Sequence, residues 1–326
     1  MVDVRLPGAL QSALAELTAG SERMRATALS SAYRAHRPSS VAVTGSAEAA
    51  AYAATRMPAT YAAIATALAA TIAQLPAFAP SRLLDAGAGP GTATWAAAAA
   101  FPGLERAVQL DHNRALLAVG AALAQASPVP RVEQRLGELA VGVADRFDLV
   151  VAGYALTELP DVRLLEVARD LWAHCDGVLV LVEPGRTRDY ERLMRVRAAL
   201  LEAGARIVAP CPHERPCPLP SGDWCHFSVR LPRLRGHRQA KGGTLGYEDE
   251  KFSYLAVARP ALAAQGVAAR IIRPPIARKF EVELPVCTAE GLAQWRVPKR
   301  DAAAFKAARK LAWGDAVALV DGQDEG

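Results

Sequence analysis

The stretch Asp85-Ala86-Gly87-Ala88-Gly89-Pro90-Gly91 decides how the rest of this chain is read. A short apolar run, 82–85, leads into it, and an Ala-rich run of helical character, 92–100, leads out. Three glycines at alternate positions let the backbone turn sharply and let a ligand come close, while the helix start offers free N–H groups. The spacing is G-x-G-x-G, shorter than the G-x-G-x-x-G of dinucleotide-binding turns. Glycines alone would suit a tight strand-to-helix turn with no ligand. Asp111 adds to them, because it closes the next apolar run about 20 residues on, where a carboxylate ordinarily holds a ribose diol.

Outward from this loop, short apolar runs alternate with helical ones, the signature of a parallel sheet with crossover helices. The pattern predicts strands at 82–85, 107–111, 131–135, 147–151 and 177–182, and helices at 92–100, 114–125, 162–174 and 188–202. Further on come a Pro- and Cys-rich loop, a strand at 226–231, a basic Gly-containing loop and a strand at 252–258. Two or three strands then precede a helix at 301–311. Before the loop, helices are expected at 9–17, at 22–35 and from Ser46 to Leu75, the last interrupted by Pro58. The fold class expected is therefore α/β: a Rossmann-like sheet with an N-terminal helical extension and a small C-terminal α+β unit. The division is 1–76, 77–260 with the Cys-rich loop at 209–226, and 261–326.

Apolar residues make up 52% of the 326 and charged residues 22%, the balance of a globular protein able to bury a sizeable core. Met1 to Leu10 has no apolar signal region, and the run 59–73 is too short and too mildly apolar to span a bilayer. A cytoplasmic, monomeric protein with no membrane partner is expected. The net charge of +5 is too small to define a partner by itself.

The loop and its surroundings resemble class I methyltransferases, whose first motif is (D/E)-x-G-x-G-x-G. That resemblance implies S-adenosylmethionine as cofactor, with Asp85 near its methionine end. Gly87, Gly89 and Gly91 would lie along its backbone, Asp111 on the ribose hydroxyls, and Gly153 at the end of the fourth strand. The segment Asp148-Leu149-Val150-Val151-Ala152-Gly153-Tyr154 holds the place of the fourth motif but departs from the Asn/Asp-Pro-Pro-aromatic pattern of amino-directed enzymes. No Thr-Cys or Pro-Cys nucleophile follows, so neither the acceptor atom nor a catalytic residue is legible. NAD(P), the competing cofactor, would need the longer glycine spacing and a hydride-transfer acid.

Five cysteines are an odd number for a reducing compartment and argue for metal chemistry over a disulfide framework. Cys211, Cys217 and Cys225 fall in a loop stiffened by Pro210, Pro212, Pro216, Pro218 and Pro220, and Cys287 is available as a fourth thiolate. Zinc usually shows a closer C-x2-4-C pair, although His213 and His226 are at hand. An iron–sulfur cluster tolerates irregular spacing. Spacing leaves the two metals even, with no metal at all as the lesser alternative. Cys175, before an apolar strand, reads as a buried structural thiol.

Three runs narrow the resemblance: Ala209-Pro210-Cys211-Pro212-His213, Trp224-Cys225-His226-Phe227 and Tyr247-Glu248-Asp249-Glu250-Lys251-Phe252. With Cys217-Pro218, Pro298-Lys299-Arg300 and Trp313-Gly314-Asp315, they look like the methyltransferase-like Rsm22 family, associated with the small ribosomal subunit. The likeness implies a role in small-subunit assembly or rRNA modification and a [4Fe–4S] cluster on Cys211, Cys217, Cys225 and Cys287, with zinc as the alternative. It leaves open whether the chain transfers methyl groups or acts as a non-catalytic rRNA-binding assembly factor.

Two basic runs suit phosphate contacts. Arg230, Arg233, Arg235, Arg238 and Lys241 form one, and Lys299 and Arg300, with Arg296, Lys306, Arg309 and Lys310 nearby, the other. Trp224, Phe227 and Tyr247 are candidates for base stacking or for packing around the cysteines. Glu183 reads as a structural cap in preference to a base.

Overall fold

The computed structural model describes residues 3–19, 43–139, 145–232 and 247–317. Two helices come first, α1 (Gly8–Thr18) and the long α2 (Ser46–Gln74). The expected break at Pro58 does not occur. Met57, Ala59, Tyr61 and Ile64 are all buried on either side of it, so packing holds the helix straight through the residue that local propensity would use to end it. The expected helix at 22–35 lies outside the described residues.

The sheet is built from β1 (Arg82–Ala86), β2 (Arg106–Asp111), β3 (Arg131–Leu136), β4 (Phe147–Gly153) and β5 (Cys175–Pro184). The connecting helices are α3 (Thr92–Ala100), α4 (Arg114–Ala124), α5 (Asp161–Ala173) and α6 (Thr187–Glu202). Beyond them lie β6 (Arg206–Ala209), β7 (Phe227–Pro232) and β8 (Tyr247–Ala258). The strand order is β3-β2-β1-β4-β5-β8-β6, with β1 to β5 parallel and β8 antiparallel to both neighbours. The order reverses between β1 and β4, which opens a crevice at the carboxyl ends of those strands, where α/β sheets of this kind take ligands.

Two differences from the sequence reading concern the sheet's far edge. β6 was not expected, since four residues running into a proline loop carry little pattern, and the strand exists through its pairing with β8. β8 starts at Tyr247, five residues before the expected Phe252. Its first half is a run of charged residues, Glu248 to Lys251, and is ordered by pairing with β7.

One core joins α1, α2 and one face of the sheet, from Leu10 through Ile64 to Leu83, Val151 and Phe252. A second lies under α5 and α6 on the other face. The C-terminal residues have a core of their own, Ala269, Ile271, Val282, Leu284, Val286 and Phe305. It sits among β9 (Ala269–Ile271), β10 (Ile276–Ala277), β11 (Glu281–Thr288), β12 (Leu292–Pro298), α7 (Ala302–Ala308) and β13 (Ala316–Val317). Among the described residues, no helix is long and apolar enough to cross a membrane.

Candidate functional sites: a nucleotide-type cleft and a cysteine pocket

The glycine loop takes the conformation its composition allows. Gly87, Gly89 and Gly91 have φ of 69°, 53° and 84°, the left-handed region where glycine alone is unstrained. Space is as restrictive as the torsions: a Cβ on Gly87 would fall 2.5 Å from Ala155 Cβ, and one on Gly91 2.2 Å from Gln109 Nε2. The loop is tied down by its own backbone. Gly87 and Ala88 both donate to Leu110 O, and Gly89 donates to Asp111 Oδ2 at 2.7 Å. Asp111 Oδ1 accepts from Asn113, whose side chain caps α4 and donates to Val43 O just ahead of α2.

These residues line a cavity of about 390 Å³, in the range of small-ligand sites. Asp85, Gly87, Gly89, Asp111 and Gly153 all reach it, whereas Gly91 stands behind the loop against Gln109. Asp85 has two roles, because besides lining the cavity its Oδ2 accepts from Thr94 N and Oγ1 and braces the start of α3. Burial pushes its carboxyl up to about 7, against those two hydrogen bonds. A carboxyl so poised prefers a cation as its neighbour.

The opposite wall was not legible in the sequence. Tyr52, Arg56, Met57, Thr60 and Ile64, all on α2, close the cavity over the end of β4. Ile64 Cδ1 lies where a Cβ on Gly153 would be, 2.7 Å away, so the glycine is needed to admit the helix. Glu183 is structural, but it caps the turn after β4 and not, as the sequence suggested, the helix that follows it: its two oxygens accept from Leu156 N and Thr157 N, each at 2.9 Å. Burial raises its carboxyl well above the usual range. Asp148 is likewise structural, holding Ser81 and Arg82 at the start of β1.

The second site assembles from segments far apart in the chain. Cys211 and Cys217 from the proline loop, Cys225 before β7 and Cys287 on β11 line one pocket, together with Tyr190 and Arg270. Burial pushes the thiols of Cys211 and Cys225 up, and that of Cys287 to about 12. Tyr190 on α6 donates to Cys217 Sγ at 3.0 Å, and His213 Nε2 is 3.6 Å from Cys287 Sγ. His226 stacks on Trp224 and meets Trp313 edge-on instead of turning to the sulfurs. Cys175 is elsewhere, fully buried at the start of β5 with its thiol pushed up to about 12. Among the described residues, no three His, Cys, Asp or Glu side chains are grouped as around a single metal ion.

Two arginines beside this pocket carry a signal that sequence reasoning missed. Arg197 on α6 donates to His213 O and Arg215 O, and Arg270 on β9 to Pro210 O and Gly314 O. Both are almost fully buried, neither forms an ion pair with an acid among the described residues, and Arg197 Nε and Arg270 Nη2 have no hydrogen-bond partner. Burying a cation with no counter-charge costs on the order of several kcal/mol. Arg270 stands directly opposite Cys287 across the β9–β11 ladder, and Arg197 favours the charged form of Cys211 and of Cys287. Four thiolates around a doubly charged metal centre would leave a net charge of about −2, which two guanidiniums match.

The candidate RNA residues are placed unevenly. Arg230 is exposed, paired with Asp249 through two hydrogen bonds and stacked 4.1 Å over the Tyr247 ring. Arg233, Arg235, Arg238 and Lys241 lie outside the described residues. Lys299 and Arg300 are exposed in the turn between β12 and α7. Phe227 is buried against Phe252 and Tyr254, which settles it as a packing residue.

A parallel sheet with this strand order, an antiparallel strand next to its edge and a glycine loop after β1 is the class I methyltransferase, Rossmann-like fold. The chain belongs to the family described as Mitochondrial small ribosomal subunit Rsm22, whose model matches residues 46–318. It is 29% identical to the human mitochondrial ribosome assembly protein METTL17, over 82% of this chain and 62% of that protein. It is also 29% identical to the mitochondrial Rsm22-cox11 tandem protein 2 of Schizosaccharomyces pombe, over 72% of this chain and 38% of that one. The chain thus spans less than two thirds of the length of these relatives. Among solved structures, a magnesium protoporphyrin IX methyltransferase from Synechocystis superposes with a TM-score of 0.41 at 15% identity, over 62% of this chain and 80% of that one. The fold assignment rests on the strand order and not on that superposition.

Proposed function

We propose that this chain is an S-adenosylmethionine-dependent, methyltransferase-like protein that works on or with small-subunit rRNA during ribosome assembly. The observation that carries this reading is the cleft, where Asp85, the glycine loop and Asp111 meet at the switch point of the sheet in a chain of this family. Asp111 would hold the ribose hydroxyls, and Asp85 would face the cationic methionine end. When bound, the cofactor supplies an electrophilic methyl group; the protein supplies position, a dry pocket and charge. Calorimetry should show S-adenosylmethionine binding to the purified protein, and labelled cofactor should pass its methyl group to small-subunit RNA or immature particles. Absence of binding would overturn the cofactor reading.

One observation favours a second reading, a non-catalytic assembly factor that keeps the cofactor. Helix α2 covers the end of β4 with Thr60 and Ile64, on the side from which an acceptor base would enter. Binding without methyl transfer to any small-subunit RNA is the result that would select it.

The cysteine pocket is read as a resident metal centre on Cys211, Cys217, Cys225 and Cys287, a [4Fe–4S] cluster with zinc as the alternative. The four thiols on one pocket and the two uncompensated guanidiniums support it. Its work is structural, because it joins the proline loop, which has few apolar residues, to the C-terminal strands. Iron, sulfide and zinc content of anaerobically prepared protein decides between the two metals.

A further inference from the structure

The most exposed aromatic side chain in the described residues, and one that neither site uses, is Phe280. It is 65% exposed, at the tip of the β10–β11 hairpin. The tip is a tight turn closed by Arg278 N donating to Glu281 O at 2.8 Å, and the C-terminal core does not include the ring. The hairpin instead holds it outward. Lys299 N donates to Phe280 O at 2.7 Å, which fastens this tip to the turn that carries Lys299 and Arg300. Lys279 Nζ lies 5.1 Å from the centre of the ring.

Charge around the ring is sorted. Glu281 and Glu283 are both taken up by Arg278. Lys279, Lys299 and Arg300 form no ion pair among the described residues. Apart from the Lys279 contact, an aromatic face held out in water costs solvation and packs against nothing in the C-terminal core. It suits a ligand that offers a flat apolar face and a phosphate together.

We infer that Phe280, with Lys279, Lys299 and Arg300, is a stacking platform for an unpaired base of single-stranded RNA, the cations taking the adjoining phosphates. The inference rests on the RNA reading above and narrows it to a point of contact and to strandedness. Bases in a duplex are stacked on each other and cannot reach the ring, whereas unpaired bases stack on aromatic side chains without sequence preference.

The test uses the full chain, a short fluorescein-labelled RNA of mixed sequence, and the same strand annealed to its complement. Phe280→Ala should weaken single-strand binding roughly five- to hundredfold, the range for one lost base stack. Duplex binding and the slope of affinity against salt should stay as in the wild type, since no phosphate contact is removed. Phe280→Trp should keep the affinity, and its emission should be quenched by the single strand. Replacing Lys279, Lys299 and Arg300 together by Ala should flatten the salt slope by about 2 on the single strand. Equal loss on both probes, or no loss on either, would overturn the platform while leaving RNA binding standing; a protein docking at this tip predicts the second result. A wild type that binds neither probe would overturn the RNA reading and the platform with it.

Discussion

The cleft and the cysteine pocket face the same problem, holding a ligand in a fixed geometry, and solve it in opposite ways. The cleft is made by consecutive elements, and its loop satisfies itself: Gly87, Ala88, Gly89 and Gly91 all spend their amides within the fold. The pocket is made by four cysteines spread from the proline loop to β11, with two buried arginines that find carbonyls and no acid. A site of the first kind is complete before its ligand arrives. On the proposed metal reading, one of the second kind is finished by it, since the missing negative charge would come with the thiolates that metal binding creates.

The sharpest way to break this contrast is to remove a cysteine. Cys225→Ser should lose the metal and lower the melting temperature by about 10 °C or more, the scale of several kcal/mol in a chain of this size. Cys175→Ser should leave metal content unchanged, since that thiol is buried in β5 away from the pocket. Elemental analysis alongside a thermal melt checks both, and equal losses from the two variants would erase the distinction between the sites.

An intermediate effect is expected at Gly87. A side chain there is forced against Ala155 at a φ that favours glycine, so Gly87→Val should cost on the order of 1–3 kcal/mol and abolish calorimetric binding of S-adenosylmethionine. Metal content should be untouched. If metal were lost as well, the two sites would be one cooperative unit.

The smallest effect concerns pH. Asp85 is held at about 7 in the folded protein against 3.8 ordinarily, so the folded state binds the extra proton. The contribution of this group to stability is therefore greatest below about 4 and is lost as pH rises through 7. Cofactor affinity should run the other way. A cationic methionine end favours the carboxylate, so affinity should fall by up to about tenfold per unit as pH drops below 7, and level off above it. Titrations at several pH values, with Asp85→Asn as the variant lacking this dependence, give the sign directly. Affinity independent of pH would place the cationic end away from Asp85.

What the sequence disclosed follows the same division. The strands, crossover helices and glycine loop were legible because strand-to-helix alternation, glycines at alternate positions and a strand-ending Asp111 are local signals. Local signals failed where distant packing decides. Pro58 reads as a helix stop until Tyr61 and Ile64 are seen buried beside it, and β6 has no pattern without β8. The α2 wall of the cleft, and the role of Gly153 in admitting Ile64, depend on an element some ninety residues earlier in the chain coming to lie over β4. The cysteines could be singled out by type and by the prolines around them. Arg197 and Arg270 could not, because nothing in a sequence marks an arginine as buried without an acid.

Asp111 also bears on how fast a ligand can enter. Its carboxylate grips Gly89 from one oxygen and Asn113 from the other, and Asn113 reaches Val43 at the threshold of α2. Each oxygen keeps a lone pair to spare, so an incoming diol adds to this chain of bonds without first dismantling it. The loop is preorganised, and association needs no slow opening step. Occupancy would instead be felt at the entrance to α2 as a damping of local fluctuation, readable as slower amide hydrogen exchange around Val43.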